Sequence, residues 1–95
     1  MLKITYHKQF KKDYKSALKK GYDKKIFYDV FTALSEGQVL PPKYKDHALN
    51  DSKYYKKMRE CHIKPDLLLI YKIEKNALCL SLIRTGSHSK LFKDS

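Results

Sequence analysis

Residues 67 to 73, Leu-Leu-Leu-Ile-Tyr-Lys-Ile, are apolar on both faces of an extended chain, and no other stretch limits the possible folds so much. A strand with one face in water alternates polar and apolar side chains, whereas one that is apolar on both faces belongs inside a sheet. Two more strand-like runs flank it, at about 54 to 61 and at 78 to 84 (Leu-Cys-Leu-Ser-Leu-Ile-Arg). Pro65-Asp66 and Lys75-Asn76 supply the turns, so the three runs read as an antiparallel meander.

Upstream the period changes twice. Residues 2 to 6 (Leu-Lys-Ile-Thr-Tyr) alternate as a half-buried strand does, and from His7 to about Lys20 the spacing becomes helical. Phe10, Tyr14, Ala17 and Leu18 share one stripe, and Gly21 follows where a helix commonly ends. Asp23 is placed to cap a second helix through about Glu36, whose broad apolar face holds Ile26, Phe27, Val30, Phe31, Ala33 and Leu34. The short connection makes the two helices antiparallel. Residues 1–95 are therefore expected to form a single α+β domain: two antiparallel helices packed on a mostly antiparallel four-stranded sheet, in the order βααβββ, with a short C-terminal turn or helix after Gly86.

Charge narrows the partners. Lys and Arg number 21 against 10 Asp and Glu, a net +11, and both halves of the chain share the excess. Such a domain gains affinity for polyanions by releasing their counterions, so nucleic acid or an acidic protein is the natural partner. Lys8, Lys11, Lys12, Lys15, Lys19 and Lys20 merely solvate the polar side of the first helix; the later cations lie among histidines. The 42% hydrophobic content supports a folded globule. No apolar run reaches the length of a membrane span and the N-terminus lacks the regions of a signal peptide, so a cytoplasmic location is expected. Cys61 and Cys79 have no metal-ligand spacing and are expected to be reduced thiols.

Three of the four histidines sit in the second half, each beside charged neighbours: Asp46-His47, Glu60-Cys61-His62-Ile63-Lys64-Pro65-Asp66, and Arg84-Thr85-Gly86-Ser87-His88. Histidine both takes and gives protons near neutrality. RNA carries its own nucleophile, the 2′-hydroxyl, so cleavage needs only a base, an acid and a cation on the phosphate. His47, His62, Asp66 and His88 can supply proton transfer, Arg84 can grip the phosphate with its planar fork, and Phe92 can stack on a base. Zinc is the rival reading of the histidines, but they lie too far apart in the chain for a compact ligand motif, and no metal or other cofactor is expected.

Three runs, Tyr44-Lys45-Asp46-His47-Ala48-Leu49, Arg59-Glu60-Cys61-His62-Ile63-Lys64-Pro65-Asp66-Leu67-Leu68-Leu69-Ile70-Tyr71 and Arg84-Thr85-Gly86-Ser87-His88-Ser89-Lys90-Leu91-Phe92, resemble the YafQ-like branch of the RelE/ParE toxin superfamily. The resemblance covers nearly the whole chain. It departs after His47, where Asn50 to Tyr55 holds neither the glycine nor the tryptophan usual there. It implies the toxin of a type II toxin–antitoxin pair, an endoribonuclease that cuts mRNA, typically at the ribosome, and is silenced by a cognate antitoxin. It also implies that His47, His62, Asp66 and His88 form the catalytic set, with Asp66 and His88 the stronger candidates for base and acid. Arg84 would meet the phosphate and Phe92 a base, with Lys45 and Glu60 as secondary members of the RNA-binding set. The alternatives are a noncatalytic ParE-like toxin that poisons gyrase and a plain basic RNA-binding module.

Overall fold

The computed structural model describes residues 1–50 and 52–92. Its elements run β1 (Lys3–Tyr6), α1 (Lys8–Lys19), α2 (Lys24–Ser35), β2 (His47–Ala48), β3 (Arg59–Lys64), β4 (Leu67–Glu74), β5 (Cys79–Gly86) and α3 (His88–Leu91). Single 3-10 turns occupy Pro42–Tyr44 and Lys75–Ala77. The sheet order is β1-β5-β4-β3-β2, which puts the doubly apolar run at the centre as its composition demands. Leu67, Leu69 and Tyr71 of β4 face the helices, while Leu68 and Ile70 face the other way, and none of the five is more than 2% exposed. Each such side chain contributes about 1.5–3 kcal/mol by leaving water, so β4 anchors both sides of the sheet.

The helices cover one face. Phe10 meets Phe31 edge-on at 5.9 Å and Tyr14 meets Phe27 at 4.9 Å, so contacts that advance along α1 recede along α2 and the pair is antiparallel. Gly21 leaves α1 with φ +102°, a left-handed value that a Cβ would oppose, and the Asp23 carboxylate accepts the Lys25 N–H at the start of α2. Lys8, Lys11, Lys12, Lys15, Lys19 and Lys20 are all exposed, as the helical pattern requires. No helix among the described residues is long and apolar enough to cross a membrane.

Three details go beyond the sequence pattern. A fifth, two-residue strand, β2, joins the four expected ones, because His47 and Ala48 pair with Glu60 and Arg59 at the β3 edge. The strand foreseen at about 54 to 61 begins instead at Arg59, since Tyr55 turns inward to cover the second face, its hydroxyl donating to the Leu91 carbonyl at 2.9 Å. β1 also pairs with β5 in parallel, and the matched Thr5 and Ser81 hydroxyls lie 2.9 Å apart.

Candidate active site

Strand register decides which of the polar residues share a face. His47 pairs with Glu60, Glu60 with Ile70 and Ile70 with Arg84, so these four form one row across the sheet. The next row on the same face, beyond Cys61, Leu69 and Thr85, is His62, Leu68 and Gly86. Ile70 and Leu68 belong to the cluster on the face away from α1 and α2, so Glu60, His62 and Arg84 project there too. Arg84 reaches that face because a bulge at Ile83 breaks the alternation of β5.

Glu60 is the hub of the first row. It is 5% exposed, and its two carboxylate oxygens lie 3.6 Å from His47 Nε2 and 3.5 Å from His62 Nε2. The other nitrogen of His47, Nδ1, is 2.7 Å from the Lys45 carbonyl; that oxygen only accepts, so Nδ1 carries a hydrogen. The segment that presents His47 is tied down by Asp46, which accepts hydrogen bonds from the buried Tyr71 hydroxyl and from Arg59 Nη2 at 3.2 Å. Burial first, and the Asp46 carboxylate second, push the Tyr71 hydroxyl well above the usual phenol range, so it stays a neutral donor to that carboxylate.

A second hub is Asp13, on the apolar stripe of α1 and 2% exposed. Beyond the end of β1 the edge of β5 has no partner strand among the described residues, and Asp13 takes its place by accepting the Thr85 N–H at 3.2 Å. The same carboxylate accepts from Arg84 Nε at 2.7 Å, Arg84 Nη2 at 3.2 Å and Gln9 at 3.2 Å, with Lys90 Nζ 3.3 Å away. Burial alone would raise the Asp13 carboxyl, but the hydrogen bonds from Arg84, Gln9 and Thr85 outweigh it and hold the group below the usual carboxylate range. The Asp13 hydrogen bond raises the guanidinium of Arg84 in turn.

His88, exposed at the start of α3, lies against the Phe92 ring with centroids 4.7 Å apart, and Phe92 meets Tyr55 edge-on at 5.4 Å. The Ser87 hydroxyl caps this helix by accepting the Lys90 N–H at 3.2 Å. Gly86, just before it, has φ +153° and is approached by the Lys90 side chain so closely that a Cβ would meet it at 3.0 Å. Asp66 is exposed in the β3–β4 turn and lines a cavity of 120 Å³ with Asp13, Lys20, Gly86, Ser87 and Lys90. His62, Asp66 and His88 thus stand at one end of the sheet, where β3 and β5 finish and β4 begins, and His47 lies one row inward.

Asp13 is not among the site residues expected from the sequence. Its signal was a carboxylate three residues after Phe10 and four before Ala17, on the stripe that should be wholly apolar.

The fold recurs in bacterial toxins. A metal-bound toxin from Helicobacter pylori matches with a TM-score of 0.89 at 51% identity, covering 97% of this chain and 100% of that one. YafQ from Escherichia coli BL21(DE3) gives 0.85 at 38%, covering 97% and 99%, and a chain of the E. coli DinJ-YafQ complex gives 0.84 at 39% with the same coverage. A basic α+β domain of this build, with its polar residues gathered at one end of the sheet, is thus of the bacterial toxin class. The mRNA interferase toxin YafQ of E. coli K12 is 39% identical over 90 residues, 94% of each chain, and the family model for the YafQ bacterial toxin of type II toxin–antitoxin systems matches residues 2–93. This chain belongs to the YafQ toxin family.

Proposed function

We propose that this chain is the toxin of a type II toxin–antitoxin pair and cleaves mRNA; its E. coli relatives carry the name mRNA interferase toxin, and the family it belongs to is of type II toxin–antitoxin systems. A base at the sheet end removes the 2′ proton, the 2′-oxygen attacks the adjacent phosphorus, and an acid protonates the departing 5′-oxygen. Asp66 and His88 are assigned these two roles, with His62 and His47 completing the proton-transfer set. The observation that carries the reading is the buried Glu60 carboxylate between His47 and His62, in the same row as Arg84. A carboxylate repels phosphate, so Glu60 serves by holding two imidazoles rather than by touching RNA, the part expected of it above. Arg84 already gives Nε and Nη2 to Asp13, so it meets a phosphate with its remaining N–H groups and not with the whole fork. Lys45 and Phe92 complete the RNA contacts, Phe92 from beside His88.

Partner and place follow from the same reading. The DinJ-YafQ complex pairs a relative with another protein, and a net +11 here suits an acidic antitoxin segment that folds as it binds. The substrate is mRNA at the ribosome, in the cytoplasm. The test is purified protein on RNA, on the same sequence as DNA, and on translating ribosomes. Cleavage persisting in EDTA, with 2′,3′-cyclic phosphate or 3′-phosphate ends and intact DNA, is expected; loss in EDTA with recovery on zinc addition would refute the mechanism.

A further inference from the structure

Beside the acid–base residues lies a groove of 530 Å³, lined by Ile26 and Asp29 of α2, by Lys43, Tyr44 and Lys45, and by His62 to Pro65. It follows the open edge of β3. β2 pairs with Arg59 and Glu60, and among the described residues the edge beyond them has no strand partner. A bulge at Ile63 then breaks the alternation: His62 opposes Leu68 on the face away from the helices, while Lys64 opposes Leu67 on the helix side. The bulge therefore turns Lys64 into the groove beside Ile63 and leaves His62 at its rim.

The lining has the composition of a nucleotide subsite. Ile26, Ile63 and Pro65 give an apolar floor, and Tyr44, half-buried against the core, offers a ring. Lys43, an exposed and flexible side chain, lays its Nζ over a face of that ring 5.2 Å from the centre, so this face is covered by a displaceable cation and not by the core. Among the described residues, none of Lys43, Lys45 and Lys64 is in a salt bridge, and they outnumber the one carboxylate of the lining, Asp29. The volume falls within the range of about 300–1,000 Å³ typical of small-ligand sites.

We propose that this groove binds one unpaired nucleotide of the substrate strand flanking the scissile phosphate, with the base on Tyr44 and its phosphate between Lys43 and Lys64. The proposal rests on the assignment of His62 to RNA cleavage, because a strand crossing His62 enters the groove at its rim. Only a single strand can enter, since a base held in a duplex has no free face. The base displaces the Lys43 ammonium from the ring, and the ammonium moves to the phosphate.

The experiment separates binding from cleavage by using a 2′-O-methyl pentanucleotide, which lacks the nucleophile. Its affinity for Tyr44→Leu, which keeps an apolar side chain against the core, is expected to fall about five- to 100-fold. For Lys64→Gln the slope of log affinity against log salt should decrease in magnitude by about one. Backbone amide shifts in the wild type should move at Ile26, Tyr44, Ile63 and Lys64. A folded Tyr44→Leu protein with wild-type affinity overturns the proposal, as do shifts that leave these four amides unmoved. An acidic peptide that shifts them while the oligonucleotide does not would make the groove a protein-docking site and overturn it too. RNA cleavage by the wild type, scored in parallel, tells the two readings apart: cleavage without groove binding refutes the subsite alone, whereas groove binding without cleavage refutes the acid–base assignment and with it the placing of the nucleotide beside a scissile phosphate.

Discussion

Asp13→Ala should be among the most damaging single changes available in this chain. The carboxylate is 1% exposed and is held by Arg84 through two N–H groups, by the Thr85 N–H, by Gln9 and by Lys90. Removing it strands the Thr85 N–H, in a residue that is 0% exposed, at about 1–3 kcal/mol. It also leaves Arg84 without its anion, although a side chain that is 22% exposed recovers part of that loss from water. Breaking a buried pair by deleting one partner costs about 3–5 kcal/mol, and the Thr85 penalty falls within that total because the site acts as a unit. For a domain this small the melting temperature should drop by about 15–30 °C. Asp13→Asn keeps an acceptor for Thr85 and should lose less. It should also change the acid limb. The folded-state pKa of Asp13 lies below its ordinary 3.8, so the stabilisation is complete above that value and is lost as pH falls through the folded pKa. Urea titrations of wild type, Ala and Asn variants between pH 2 and 7, with equal slopes as the control for two-state unfolding, measure both effects. A loss under about 1 kcal/mol for the Ala variant, or an acid limb in the Asn variant identical to wild type, would refute the assignment of Asp13 as the hub that ties α1 to β5 and α3.

Three other outcomes are expected. His88→Ala should slow the cleavage step by about 10²- to 10⁴-fold with thermal unfolding and RNA affinity unchanged, because the residue is exposed; wild-type cleavage would return it to the surface. Arg84→Lys should impair both cleavage and stability, because lysine keeps the charge but cannot give Asp13 two N–H groups, so a variant as stable as wild type in urea would contradict the observed pairing. Burial pushes the Cys61 thiol up to about 12, so alkylation of the native protein near pH 8 should label the half-buried Cys79 and spare Cys61, with equal labelling in denaturant; mass spectrometry reads the sites, and native labelling at Cys61 would count against the packing of β3.

Much of this molecule is legible in single residues and short periods. The two-faced apolar run at 67 to 73 marks a central strand, Asp23 marks a helix cap, and the stripes from Phe10 to Ala17 and from Ile26 to Leu34 mark two buried helix faces. Such features depend on neighbours a few residues away, so local spacing suffices to read them. The residue types of the site were equally visible, because histidines among arginine and carboxylates stand out in a lysine-rich chain, and the three motifs carried the family resemblance.

What only the tertiary structure decided is which of those residues act together. Glu60 could be a phosphate-side residue or a partner for histidines until β2 brings His47 within reach of the carboxylate that already faces His62. Arg84 could face either side until the bulge at Ile83 sets its register against Ile70, and its fork could be free until Asp13 closes on it from 71 residues earlier in the chain. The edge strand β2, too short to show a period, and the shift of β3 to Arg59 belong to the same class. Alternation along a strand is a property of the chain, but register is a property of pairs of strands. A one-residue bulge reverses every assignment beyond it without leaving a mark in the local pattern.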